Sequence, residues 1–403
     1  MTTTDPAAQP VHPACATIGD RLSAAKGYTT GFDVLRIVLA VCVLGWHSIY
    51  VTYGWDNWLW EGPYRGFPSL ILPAFFSLSG FLVAGSFFRT LSLSSFVTLR
   101  LLRLVPALFV EVCLSALILG PVVTTLPLRD YLSGHEFLVY WLNILGIIHF
   151  ELPGVFETNK ATGVVNVSLW TVPFELECYL ALIGLVIFGL LRRPRVLFWV
   201  LIGASIVIPI TEYLLVGFMP RLRPPGRLLV LCFLAGVALY VYRDRIRFDR
   251  RWFVASLFAA VLLLSRADTA FLAPLPAAYA TVYLGLLNLP RIPVLMAGDY
   301  SYGIYLYAFP VQQTMVWFDP TRYSWRLRPF AHAWWLNIGF ALPVTILVAM
   351  LSWHFVEKPV LARRKHVTAF VQKAEANLRN HLRLFSARTF ALERSFPKSK
   401  RSD

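Results

Sequence analysis

This chain of 403 residues is short of charge. Asp, Glu, Lys and Arg make up 15% of it, 57% is hydrophobic and the mean hydropathy is +0.61, whereas an ordinary soluble domain is about a quarter charged. The acidic side is thinnest, with 22 Asp and Glu against 37 Lys and Arg. Catalytic signatures are missing too: there is no His-Glu-x-x-His, Gly-x-Ser-x-Gly, P-loop or dinucleotide fingerprint, which argues against zincins, nucleophile-elbow hydrolases and nucleotide folds of those types. The five cysteines (Cys15, Cys42, Cys113, Cys178, Cys232) show no paired spacing, so neither a disulfide framework nor a metal site is expected. No basic stripe is interleaved with exposed aromatics, which argues against nucleic acid as a partner. Residues 1–30 lack the apolar core and cleavage site of a secretory signal and read as a disordered cytoplasmic lead.

Long apolar runs are what remains. A helix crossing about 30 Å of hydrocarbon needs roughly 20 apolar residues. Stretches near or above that length recur at 32–53, 69–88, 100–120, 168–191, 196–218, 227–242, 252–265, 271–289, 298–318 and 333–356. The expectation is an all-α, polytopic integral membrane protein with about ten spans. The stretch 135–150, polar at its ends, reads as an interfacial or re-entrant piece. Arginines at 89–103, 192–195 and 243–251, with eleven more Lys and Arg from Arg363 onward, fall on one side if both termini are cytoplasmic. The net charge of +15 is thus placed at the membrane, and the basic tail 361–403 is expected to lie on anionic lipid.

Against so apolar a background, isolated charges stand out, because an ionisable group inside a span is costly and marks function by default. Arg36 and His47 share the first run. Eleven helical steps bring them back to nearly one face, roughly 16 Å apart. Asp33 precedes Arg36 by one turn and faces it. Arg100 and Arg103 open the third run on one helix face and are followed by Pro106. Glu175 and Glu177 sit near the start of the fourth, where a buried carboxylate needs a cation, a donor or a proton. Two loops break the charge rule: Arg221, Arg223 and Arg227 between spans five and six, and Arg322, Arg326 and Arg328 between spans nine and ten. Such arginines either touch lipid head groups or capture a phosphorylated or acidic ligand.

Taken together, these segments resemble acyltransferase family 3, the membrane group that includes O-antigen and exopolysaccharide O-acetylases. Five blocks carry the resemblance: Phe32-Asp-Val-Leu-Arg36 through His47; Pro73-Ala-Phe-Phe-Ser-Leu-Ser-Gly-Phe-Leu82; Arg100-Leu-Leu-Arg-Leu-Val-Pro106; Ser168-Leu-Trp-Thr-Val-Pro-Phe-Glu175 with Tyr179; and Ser301-Tyr-Gly-Ile-Tyr-Leu-Tyr307 with Phe309-Pro310. Phe355-Val-Glu357-Lys-Pro359 resembles the closing motif. The resemblance spans about 31–360, taken as one transmembrane domain. Where members often carry a histidine after the Ser-Tyr-Gly block, this chain has Ala308. The hydrolase-like C-terminal domain of some relatives is not expected in so short and polar a tail.

The resemblance implies transfer of an acyl group, usually acetyl, from cytoplasmic acyl-CoA, a co-substrate and not a resident cofactor, to a hydroxyl of a glycan or lipid-linked saccharide. It places the chain in a bacterial inner membrane, among membrane lipids and polysaccharide-assembly proteins. Residue chemistry agrees, since acyl transfer to an alcohol needs a base of near-neutral pKa. His47 takes that role, either deprotonating the acceptor directly or carrying the acyl group. Glu175 orients His47 or an acceptor hydroxyl. Arg36, Arg100 and Arg103 suit the phosphates of coenzyme A, and Arg221, Arg223 and Arg227 suit the acceptor. Ser77, Ser79, Ser301 and Tyr302 either bind the thioester oxygen, line the path or serve helix packing. Two other readings compete. A transporter of an acidic or phosphorylated solute also buries Arg and Glu, but the inverted repeats common in that class are not visible. A polyprenyl-phosphate glycosyltransferase would need an acidic motif in the first outer loop, for which Trp55-Asp56-Asn57 is a faint candidate.

Overall fold

The computed structural model describes residues 16–54, 63–90, 92–216, 225–289, 297–318, 333–375 and 377. Among them the chain is helical, with two isolated β-bridges and no strand. The elements used below are α1 (Ile18–Ala24), α2 (Thr30–Tyr53), α3 (Gly66–Thr90), α4 (Leu93–Leu114), α5 (Val172–Ile187), α6 (Pro194–Val216), α7 (Gly226–Val241), α8 (Arg250–Leu264), α9 (Pro274–Gly285), α10 (Ser301–Trp317) and α11 (Trp334–Ser352).

Among the described residues, six helical stretches are long and apolar enough to cross a membrane: Thr30–Tyr53, Gly66–Thr90, Leu93–Val123, Val167–Ile187, Pro194–Leu214 and Trp334–Ala362. They match six of the ten expected runs. The other four runs hold the shorter helices α7, α8, α9 and α10, of 16, 15, 12 and 17 residues. Twelve residues rise only about 18 Å, well short of the hydrocarbon. An apolar run thus overstates the helix where turn chemistry interrupts it. At 252–265 the chain turns out through Arg266, whose guanidinium holds Asp268 at 2.7 Å, and α9 starts only at Pro274, where proline at the first turn is favourable.

Helix α7 lies at the centre, with every residue from Leu228 to Tyr240 buried, as expected of a helix apolar all round. It crosses α3 at backbone contact. A Cβ on Gly80 would lie 2.0 Å from the Phe233 carbonyl oxygen, and one on Gly236 would lie 2.1 Å from that of Ser77. Only glycine permits this approach, a device common where helices meet in lipid.

Residues 124–166 form only short helices and turns. The stretch 135–150 forms a short helix, His135–Tyr140, and a 3-10 turn, Trp141–Leu145. It belongs to a cap whose Tyr131, Tyr140, Leu152, Val155 and Phe156 are buried with residues of α4 and α10. Where the cap meets the helices, side chains satisfy carbonyls that proline has orphaned. Pro310 has no N–H for the Leu306 carbonyl one turn back, and Asn166 Nδ2 donates to it at 2.9 Å. Beyond α4 the backbone widens into a π turn, Ser115–Leu119. There the Tyr131 hydroxyl donates to the Ala116 carbonyl at 2.7 Å, next to Pro121, which has no N–H to offer.

The N-terminal lead departs from expectation over its described part. Thr17 and Asp20 close a capping box on α1, Ile18 and Leu22 are buried, and the segment is tied to 243–248 by Ile18 N–H to the Ile246 carbonyl and Phe248 N–H to that of Ala16. Residues 1–15 lie outside the described set, as does the tail beyond 377. Before it, 364–375 is helical and Gln372 donates to Ser95 at the foot of α4. Cys42, Cys113, Cys178 and Cys232 are free thiols.

Candidate active site

At the N-terminal end of α2, Arg36 lies on the face turned toward α4 and α10. Its guanidinium meets Asp33 at 3.8 Å and Asp299, just before α10, at 3.3 Å. Asp299 also holds Arg103 of α4 at 2.6 Å and accepts from Ser301 at 2.9 Å. Tyr28 completes the chain by donating to Asp33 at 2.7 Å. One carboxylate thus bridges two arginines from two helices, a geometry that repays part of the cost of holding charge away from water.

Arg100 stands one turn before Arg103 and has no such partner: its Nε is buried and unpaired among the described residues. On α5, Glu175 accepts a hydrogen bond from Tyr179, one turn along the same helix. These groups meet in a cavity of about 140 Å³ whose polar wall consists of Arg36, Arg100, Arg103, Glu175, Ser79 and Tyr179. Ser301, Tyr302 and Tyr305 from α10 and the rings of Phe75 and Phe76 complete it. The hydroxyls of Tyr302 and Tyr305 are turned to the carbonyls of Leu104 and Ser168, which ties α10 to α4 and to the start of α5.

His47 does not line that cavity. It sits three turns further along α2, edge-on to Phe309 with ring centroids 5.3 Å apart. No hydrogen bond joins it to Glu175 among the described residues, so the expected pairing of these two is not made. Its Nδ1 is buried and unpartnered. Around it the polar groups are neutral. The amide of Gln312 donates to the Leu44 carbonyl at 2.9 Å, to the Ser48 hydroxyl at 2.5 Å and to Asn337 at 3.1 Å. Gln313 reaches the carbonyls of Ala161 and Val164 in the cap, both at 2.7 Å. In an interior where most polar atoms find partners, an unpartnered imidazole nitrogen is free for a ligand.

Of the other expected residues, Arg227 pairs with Glu212 of α6 at 3.7 Å, while Arg221 and Arg223 fall outside the described residues, as do Arg322, Arg326, Arg328 and Asp56. Sequence reasoning missed Asp299, which lies at the edge of an apolar run beside Gly298. It also missed Glu111, buried in the last turn of α4, which accepts from Ser115 at 2.9 Å and from Asn166 at 2.8 Å.

The profile of the acyltransferase domain family matches residues 29–354, which contain all of these groups except Tyr28. Among curated proteins, the chain is 30% identical over 390 residues to nodulation protein 10 of Rhizobium leguminosarum bv. viciae, covering 85% of this chain and 96% of that protein. It is 27% identical over 346 residues to an O-acetyl transferase of Shigella phage Sf6, covering 82% and 96%. No solved structure matches it. With the profile spanning most of its length and the arginine cleft, Glu175 and His47 all inside the match, the chain belongs to acyltransferase family 3 and is a membrane acyltransferase.

Proposed function

We propose that the protein moves an acetyl group from cytoplasmic acetyl-CoA to a hydroxyl of a cell-surface glycan or lipid-linked saccharide. The observation that carries this reading is the layout of α2. At one end Arg36 enters a cleft with Arg100 and Arg103, and roughly 16 Å along the same helix stands an imidazole with a free ring nitrogen. Coenzyme A bears its phosphates at one end and its thioester at the other, and its extended pantetheine arm has a length of that order. Arginine forks suit phosphates. His47 takes the proton of the acceptor hydroxyl as the oxygen attacks the thioester carbonyl, and the thiolate of coenzyme A leaves; alternatively the imidazole carries the acetyl group between the two. Glu175, held by Tyr179 inside the cleft, acts on the donor side and not on His47. Arg221, Arg223 and Arg227 are assigned to the acceptor.

In this reading the four shorter helices complete about ten membrane segments in a bacterial inner membrane, both termini are cytoplasmic, and the basic tail lies on the lipid. The name of the phage relative, an O-acetyl transferase, supports acetyl as the group moved. The test is label transfer from acetyl-CoA to envelope glycan in membranes carrying the chain or its His47→Ala form. Transfer that depends on His47 supports the reading. Acidic-solute uptake that depends on the chain, with no label moved, would favour a transporter.

A further inference from the structure

The arginine cleft has a second, outer chamber. It encloses about 120 Å³ and shares Arg36, Arg100, Arg103 and Leu82 with the inner cavity. Its additional cation is Arg89, from the end of α3, and no Asp or Glu lines it. The nearest carboxylates are already engaged: Asp33 by Tyr28 and Arg36, Asp299 by Arg36 and Arg103. Arg89 and Arg100 have no carboxylate partner among the described residues. The chamber is therefore a concentration of uncompensated positive charge at the mouth of a cavity whose deeper walls are neutral hydroxyls, aromatic rings and one carboxylate.

Part of the chamber's wall lies outside the family match. Leu22, Gly27 and Tyr28 line it, while the family match begins at residue 29. This segment is built in and does not merely lie nearby. It is anchored by the backbone bonds to 243–248, by buried Ile18 and Leu22, and by Arg21 over the Phe248 ring at 4.9 Å. The turn at Lys26 and Gly27, both at positive φ, then carries the chain past the chamber into α2.

We infer that the outer chamber binds the phosphorylated nucleotide end of the acyl donor and that residues 17–28, which precede the family domain, form the wall that closes it. This rests on the acetyl-CoA reading above. Phosphate esters supply the anionic oxygens that four convergent guanidinium groups demand, and the order of chambers, charged then neutral, follows the order of charge along coenzyme A. Lipid head groups offer the same phosphate chemistry from the bilayer. A chamber walled by residues 17–28 and continuous with the inner cavity favours the donor.

Two donors separate the possibilities: acetyl-CoA and S-acetylpantetheine, which has the same thioester but no nucleotide. In purified protein in nanodiscs, Arg89→Gln and Ile18→Asp should each lower the ratio of kcat/KM for acetyl-CoA over S-acetylpantetheine by about tenfold, the scale of one charge-assisted contact. Adenosine 3′,5′-bisphosphate should compete with acetyl-CoA in the unaltered protein and do so about tenfold less well in the variants. Arg89 is exposed, so its variant tests the inference even where Ile18→Asp fails to fold. An unchanged ratio, absent competition by the bisphosphate, or relief of the defect by phosphatidylglycerol content alone would overturn the assignment. Unaltered protein that uses neither thioester would instead overturn the acetyl-CoA reading itself.

Discussion

The two ends of α2 solve the same problem in opposite ways. Around Arg36 the polar groups are ions that neutralise one another: two arginines share Asp299, and Arg100 is left over. Around His47 they are neutral amides and hydroxyls, Ser48, Gln312, Gln313 and Asn337, paired with one another and with backbone carbonyls. A cluster with an unbalanced cation attracts an anionic ligand over a distance. A neutral, hydrogen-bonded frame attracts no anion and leaves the imidazole nitrogen open. In the proposed reading one end captures the donor and the other does the chemistry, and both lie on one helix.

The sharpest way to break this contrast is at His47. His47→Gln should lower kcat for acetyl transfer by about 10²–10⁴-fold, the usual worth of a general acid–base group, while acetyl-CoA binding by calorimetry stays unchanged. At the other end, Arg103→Gln should do the reverse, raising KM for acetyl-CoA by about tenfold or more through loss of a charged contact with a smaller effect on kcat. A Gln there also leaves Asp299 with only Arg36, so Arg103→Gln combined with Asp299→Asn should be less impaired than the single change, measured as a double-mutant cycle. The junction of cap and helices is tested by Asn166→Ala, which leaves the Leu306 carbonyl unpaired and removes a donor from Glu111, and should cost about 1–3 kcal/mol of stability. In a Pro310→Ala background the restored N–H reaches that carbonyl, and the cost measured by thermal unfolding should shrink. Ionic strength gives the mildest probe: rising salt should raise KM for acetyl-CoA and leave kcat nearly flat, because screening acts on the charged end.

How much of this is legible in the sequence follows the same division. Arg36, Arg100, Arg103 and Glu175 announce themselves because a charge in an apolar run has no ordinary explanation, and the structure gathers all four in one cavity. Asp299 escapes notice because a carboxylate at the edge of a run reads as interfacial until two arginines from distant helices converge on it. Asn166, Gln312 and Gln313 carry no charge; Asn166 is explained only by the carbonyl that Pro310 orphans, and the two glutamines only by the α2 and cap carbonyls they reach. Glu111 is an omission of a different kind, since its apolar neighbours Leu108, Phe109, Val110 and Val112 were signal enough. Apolar runs are longer than the helices they hold, because hydropathy does not register that the Arg266–Asp268 turn follows the end of one helix and that Pro274 begins the next. In the N-terminal lead, the Thr17 and Asp20 spacing is a helix-start signal that its polar, Pro-rich composition outweighs.

Separation of capture from chemistry at the two ends of one site is tested by a single pair of titrations on His47→Gln protein in nanodiscs. Acetyl-CoA binding is measured by calorimetry, and transfer of labelled acetyl to envelope glycan on the same sample. Full binding with transfer abolished is the predicted result. Transfer at the unaltered rate, or loss of binding in step with loss of transfer, would contradict it.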